Sequence, residues 1–132
     1  MRRIVAALAV LALFLGACGD DDSESSAPPV SLPGRVNDHG TAKAENDLEV
    51  EADDRYFAPT YIEAAAGQRF SVELHNEGSE RHTFTSGDLG VDVELPQGAR
   101  RTISLTAPAS GTASFHCRFH EGQGMQGAVF IA

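Results

Sequence analysis

Residues 70 to 75 read Phe70-Ser71-Val72-Glu73-Leu74-His75, three apolar side chains alternating with three polar ones. Successive residues of a strand point to opposite faces, so this period of two sends Phe70, Val72 and Leu74 to a core and leaves Ser71, Glu73 and His75 in solvent. Turn signals bracket the run, Ala66-Gly67-Gln68 before it and Asn76-Glu77-Gly78-Ser79 after it. Outward from there the alternation recurs. Leu48 and Val50 alternate with Glu49 and Glu51, and Ile103 and Leu105 with Thr102, Ser104 and Thr106. Further strands are predicted at Tyr61 to Glu63, Arg81 to Thr85, Val91 to Leu95, Thr112 to Cys117 and Gly127 to Ala132, with turns at Pro96-Gln97-Gly98 and Pro108-Ala109-Ser110-Gly111. No stretch beyond residue 17 keeps a helical period, and the alanine run after Glu63 is cut short by Gly67. About seven to eight short strands at this spacing predict an all-β fold, a single antiparallel sandwich or barrel spanning residues 47 to 132.

The first 46 residues have another character. Arg2 and Arg3 precede an apolar run from Ile4 to Leu15, which falls short of the roughly 20 residues a spanning helix needs and reads as a secretory signal. Its end, Leu15-Gly16-Ala17-Cys18, resembles the lipobox of bacterial lipoproteins. That resemblance implies cleavage of residues 1 to 17 and lipid attachment to the Cys18 sulfur, which would hold the mature protein on the extracytoplasmic face of the plasma membrane. Residues 18 to 46 are rich in Asp, Ser and Pro and poor in apolar side chains, so they are expected to form a flexible tether. His39 falls in this tether and is expected to be solvated.

The formal charge of −9 becomes −11 once Arg2 and Arg3 are removed, an acidity that argues against nucleic acid as a partner. With Cys18 lipidated, Cys117 has no partner within the chain. A lone thiol in an oxidising compartment calls for a reason such as metal ligation or reaction chemistry.

The strand ending Ala113-Ser114-Phe115-His116-Cys117 points Cys117 the way Phe115 points, toward the core, and His116 the opposite way. It leads into Arg118-Phe119-His120-Glu121-Gly122-Gln123-Gly124-Met125-Gln126-Gly127, whose glycines let the chain fold back tightly. Such a loop can gather Cys117, His120 and Met125 around one point. Thiolate, imidazole and thioether form a soft, mixed donor set suited to copper and poorly suited to magnesium or calcium. A fourth donor must come from elsewhere, and His82, at the start of a strand just after a turn, is the candidate. Each of these residues alone has a plain structural reading; their joint spacing is what points to a metal.

The pattern Cys117-x-x-His120-x-x-x-x-Met125, with His82 upstream, resembles the type 1 copper site of the cupredoxins, with a loop spacing similar to that of plastocyanin. Residues 57 to 76 are similar to the first strands of many bacterial cupredoxins. The resemblance implies a Greek-key β-sandwich with one copper cycling between Cu(I) and Cu(II), held by His82, His120 and Cys117 with a long axial bond from Met125. Thr83 stands where plastocyanin-like proteins commonly have asparagine, and its hydroxyl is expected to bond backbone near Cys117 or Arg118. Asn76 is a second candidate for supporting the ligands from behind. His116 occupies a place where the family often has an aromatic electron port, and a plain exposed strand residue is an equal reading.

The expected function is a membrane-tethered carrier of single electrons between redox partners that the sequence does not identify. The alternative is a copper protein for delivery, storage or resistance, although Met125 is the one methionine besides Met1, and delivery sites favour more thioether. An enzyme is not expected. The chain has five histidines, no His-x-His pair and one cysteine in the loop, which is short of the extra copper centres of oxidases and of a binuclear site. A cysteine nucleophile with His120 or His116 as base would leave Met125 and His82 unexplained. Zinc would also bind such donors. A monomer is expected.

Overall fold

The computed structural model describes residues 27–132, and Cys18 with the signal segment lies outside them. Ten strands follow one another: β1 (Thr41–Lys43), β2 (Leu48–Asp53), β3 (Tyr56–Ala58), β4 (Tyr61–Ala64), β5 (Arg69–Asn76), β6 (His82–Ser86), β7 (Val91–Leu95), β8 (Arg100–Thr106), β9 (Thr112–His116) and β10 (Gln126–Ile131). The single helical turn among the described residues is a 3-10 turn at Glu121–Gln123.

The strands form two sheets, a six-stranded one in the order β1-β4-β10-β9-β6-β7 and a four-stranded one in the order β3-β2-β5-β8. The chain crosses repeatedly between them, as a Greek-key sandwich requires. The expected sandwich is therefore present, with more strands than the alternation revealed and with a mixed rather than a purely antiparallel ladder. β1–β4, β4–β10 and β2–β5 pair in parallel. Period-two patterning is identical in both kinds of pair, so direction was not readable from it.

The alternation at residues 70 to 75 is realised as predicted: Phe70, Val72 and Leu74 are fully buried against Val50, Ala52 and Leu105. Each such side chain contributes about 1.5–3 kcal/mol through loss of contact with water. An aromatic trio fills the centre. Phe84 and Phe115 stack with centroids 4.6 Å apart, and Phe57 meets both edge-on at 5.7 and 5.2 Å. Phe84 and Phe115 lie on the strands that carry His82 and lead into Cys117, and Phe57 of β3 braces both, so core packing fixes the metal-facing end of the sandwich.

The segment read as a tether does not stay free up to residue 46. β1 adds to the edge of β4, and Thr60 accepts from His39 N–H at 2.7 Å. Gln126 Nε2 donates to the carbonyls of Pro33 and Arg35 at 2.7 and 2.8 Å. His39 is exposed, as expected, but its ring stacks on Tyr56 at 3.5 Å between centroids. Polar composition concealed this packing because the segment docks through backbone and amide hydrogen bonds, not through an apolar stripe.

Candidate metal centre

Cys117 directly follows β9, its thiol fully buried and without a disulfide partner among the described residues. The chain then turns twice. His120 N–H bonds the Cys117 carbonyl at 3.2 Å, and Met125 N–H bonds the His120 carbonyl at 3.2 Å, while Cys117 N–H bonds the Met125 carbonyl at 3.0 Å. The loop thus closes on itself and carries its three donor residues at one end of the sandwich. Gly124 makes the closure possible: its φ is 98°, and a Cβ there would lie 2.7 Å from Asn37 Nδ2. Asn37 in turn donates to the Gln123 carbonyl at 2.9 Å and to the Arg55 carbonyl at 2.7 Å, so the N-terminal segment pins the loop.

His82, at the start of β6, approaches from the adjacent strand. Its Nδ1 lies 3.2 Å from His120 Nδ1 and 3.9 Å from Cys117 Sγ, and His120 Nδ1 lies 3.5 Å from the same sulfur. Three donor atoms therefore converge in a buried triangle. A trigonal ion bonded at about 2.0 Å to nitrogen and about 2.3 Å to sulfur would space its donors about 3.5 Å apart between nitrogens and about 3.7 Å from nitrogen to sulfur. The triangle matches those values within a few tenths of an ångström. Met125 is fully buried, and its backbone is tied to Cys117 and His120 by the bonds above. The residues present fit a soft or borderline metal ion.

Electrostatics suit ligation as well. Burial first, and the neighbouring His120 ring second, hold His82 below the usual imidazole range, so its ring is neutral near neutral pH and its Nδ1 lone pair is available. The sulfur accepts the Thr83 backbone N–H at 3.4 Å, and the Thr83 hydroxyl accepts the Arg118 N–H at 2.9 Å. The expected tie between the two ligand-bearing strands is present. Asn76 works one step further out: Nδ2 donates to the carbonyls of Glu80 and Leu95 at 2.7 and 2.8 Å, and Oδ1 accepts Gly78 N–H at 2.9 Å, which shapes the turn that delivers His82. His116 faces away from the triangle, half-buried, with Nε2 3.8 Å from Glu121 Oε2.

Several contributors were not singled out in the sequence. Glu80 Oε2 approaches His120 Nε2 to 2.8 Å, and Asp54 Oδ1 is 3.5 Å from His82 Nε2, which has no hydrogen-bond partner of its own. Both carboxyls are held below the usual carboxylate range, Glu80 mainly by the Arg55 guanidinium and Asp54 mainly by hydrogen bonds from Ser79. They come from turns remote in sequence, where acidic residues ordinarily signal only solubility. Gly78 belongs with them, since a Cβ there would lie 2.5 Å from Asp54 Oδ1 and 2.8 Å from His82 Nε2. A second group of donors, Glu49, His75 and Glu77, lies on the outer face of the four-stranded sheet. His75 is not simply solvated, because its half-buried ring sits between the two glutamates, with Nδ1 3.0 Å from Glu77 and 3.8 Å from Glu49.

Residues 5–131 match the model of the cupredoxin-like domain. The chain belongs to the cupredoxin-like family. This cupredoxin is 32% identical over 93 residues to the copper-resistant cuproprotein CopI of Pseudomonas aeruginosa, an alignment covering 70% of the chain and 48% of CopI. It thus spans about half the length of that curated relative. Its fold is similar to auracyanin of Roseiflexus castenholzii, with a TM-score of 0.57 and 20% identity over 67% of this chain and 98% of that one. It is also similar to the metal-binding domain of the Streptococcus pneumoniae Cu(I)-exporting P-type ATPase CopA, with a TM-score of 0.58 and 14% identity over 71% and 97% of the two chains. Family membership and the donor set together support copper as the metal of this cupredoxin.

Proposed function

We propose that His82, Cys117, His120 and Met125 would together hold one copper ion of the type 1 kind, and that the protein passes single electrons between redox partners. The observation that carries this reading is the convergence of two imidazole Nδ1 atoms and one thiol in a rigid, buried triangle. When bound, copper would supply a one-electron couple whose potential depends on its donors and on hydrogen bonds to sulfur. The chain's own part is to hold the donors. Two strands and a self-bonded loop fix them, so little rearrangement accompanies a change of charge. The Thr83 N–H stabilises negative charge on the sulfur.

The signal segment and Cys18 support a lipid-anchored protein on the extracytoplasmic face of the membrane, where tethering raises its effective concentration near membrane partners. A second reading is copper resistance or handling, favoured by the similarity to CopI.

The test is a Cu(II) titration of the purified protein followed by visible absorption, with Cys117→Ser alongside. The reading expects an intense thiolate-to-copper band that saturates at one copper per chain and is missing in the variant. Pale binding that survives loss of Cys117 would overturn it. Copper sensitivity of a deletion strain, set against its respiratory electron flux, separates the two roles.

A further inference from the structure

Both imidazoles of the metal triangle have a carboxylate behind them, on the nitrogen facing away from Cys117. Glu80 Oε2 stands 2.8 Å from His120 Nε2, and Asp54 Oδ1 stands 3.5 Å from His82 Nε2. Neither is free to swing. Arg55 clamps Glu80 with two guanidinium bonds of 2.7 and 3.1 Å, and Ser79 holds Asp54 through its backbone N–H at 2.9 Å and its hydroxyl at 2.8 Å. The pairing is reciprocal. The turn between β2 and β3 supplies one carboxylate and one clamp, Asp54 and Arg55, and the turn between β5 and β6 supplies the other clamp and carboxylate, Ser79 and Glu80.

The backbone around this device is itself fixed. Arg55 adopts φ 75°, a left-handed conformation that a residue other than glycine holds only where its surroundings enforce it. Its carbonyl accepts from Asn37 Nδ2 at 2.7 Å, and the Glu80 carbonyl accepts from Asn76 Nδ2 at 2.7 Å. His120 is consequently only 8% exposed although it lies in a surface loop.

We infer that Glu80, locked by Arg55, is a positioning residue for His120: it fixes the ring and covers its outer edge. Its charge, together with that of Asp54, biases bound copper toward the oxidised ion and slows copper loss. The inference rests on the copper reading above. A carboxylate behind a ligating imidazole sets the ring's orientation and raises the basicity of the metal-facing nitrogen. Two fixed negative charges also stabilise a dication more than a monocation at the same place. The edge of His120 is then closed to solvent and to any incoming copper acceptor until Glu80 moves.

The experiment compares wild type, Glu80→Gln and Arg55→Gln in the copper-loaded full chain, reading the visible band, the reduction potential and the rate of copper loss to a chelator. Glu80→Gln keeps the shape and removes the charge. It is expected to retain the band and to lose about tenfold in preference for Cu(II) over Cu(I), which raises the potential by about 60 mV. Arg55→Gln leaves the charge but frees it, and is expected to speed copper loss severalfold without raising the potential. An intact band with unchanged potential in Glu80→Gln and unchanged release in Arg55→Gln would overturn the inference while leaving the copper site standing. Failure of the wild type to form the band would overturn the copper reading itself.

Discussion

Thr83 acts on the site from two atoms. Its N–H reaches the Cys117 sulfur, and its hydroxyl accepts the Arg118 N–H and lies 3.0 Å from the Thr85 hydroxyl, which donates to Asp92 at 2.8 Å. Replacing the side chain leaves the first contact and removes the second. Thr83→Ala strands a partly buried N–H, so the protein should lose about 1–3 kcal/mol of stability, read by denaturant unfolding, and copper affinity should fall. Thr83→Ser should restore both; a variant as stable and as tight-binding as wild type would show that the hydroxyl is idle. At this scale His82, Cys117, His120 and the Thr83 tie were legible because each is a distinctive residue type at a strand end or within one short loop. Asp54, Arg55, Glu80 and Asn37 were not. Each is an ordinary turn or linker residue whose role exists only once separate turns meet in space.

Among the elements, β2 and β5 carry an unbalanced charge on their outer face. Glu49, Glu51 and Asp53 project from β2, Glu73 and His75 from β5, and Glu77 follows. Arg100 on β8 is paired with Glu73. Burial first, then the charge of Glu77, push the Glu51 carboxyl above its usual range. Its native state thus holds the proton more tightly than the unfolded chain does, so stability falls as pH rises from the unfolded carboxylate value through the raised native one. Glu51→Gln should accordingly stabilise the protein at pH 7, and the gain should vanish in acid, below the usual carboxylate range. Thermal melts of both proteins across pH check the sign, and a variant less stable at pH 7 would refute it. The strands themselves were readable from alternation, but their pairing was not. β1 escaped notice because three residues in a polar segment carry no period, and it forms only because β4 offers an open edge.

On the scale of the whole molecule, the N-terminal segment is part of the domain. Removing residues 1 to 46 deletes β1, the Asn37 bonds to the ligand loop and the carbonyls that Gln126 binds. Such a truncated chain should melt several degrees lower and bind copper more weakly than one beginning at residue 27, measured by thermal unfolding and by competition with a chelator. Equal melting and equal affinity would mean that the segment only rests on the sandwich. Composition could not reveal this, because amide side chains and backbone make the attachment.

β1 has one more effect. An uncovered strand edge is a template on which another chain can add. Tyr61, Ile62 and Ala64 of β4 are buried, and β1 lies along that strand as a three-residue border with Lys43 exposed. The opposite border, β7, presents Asp92 and Glu94, and the other sheet ends in the three-residue β3 and in β8 with exposed Arg100 and Arg101. Every margin among the described residues is short or charged, so copies of the chain meeting at high concentration have no ready seam along which to polymerise.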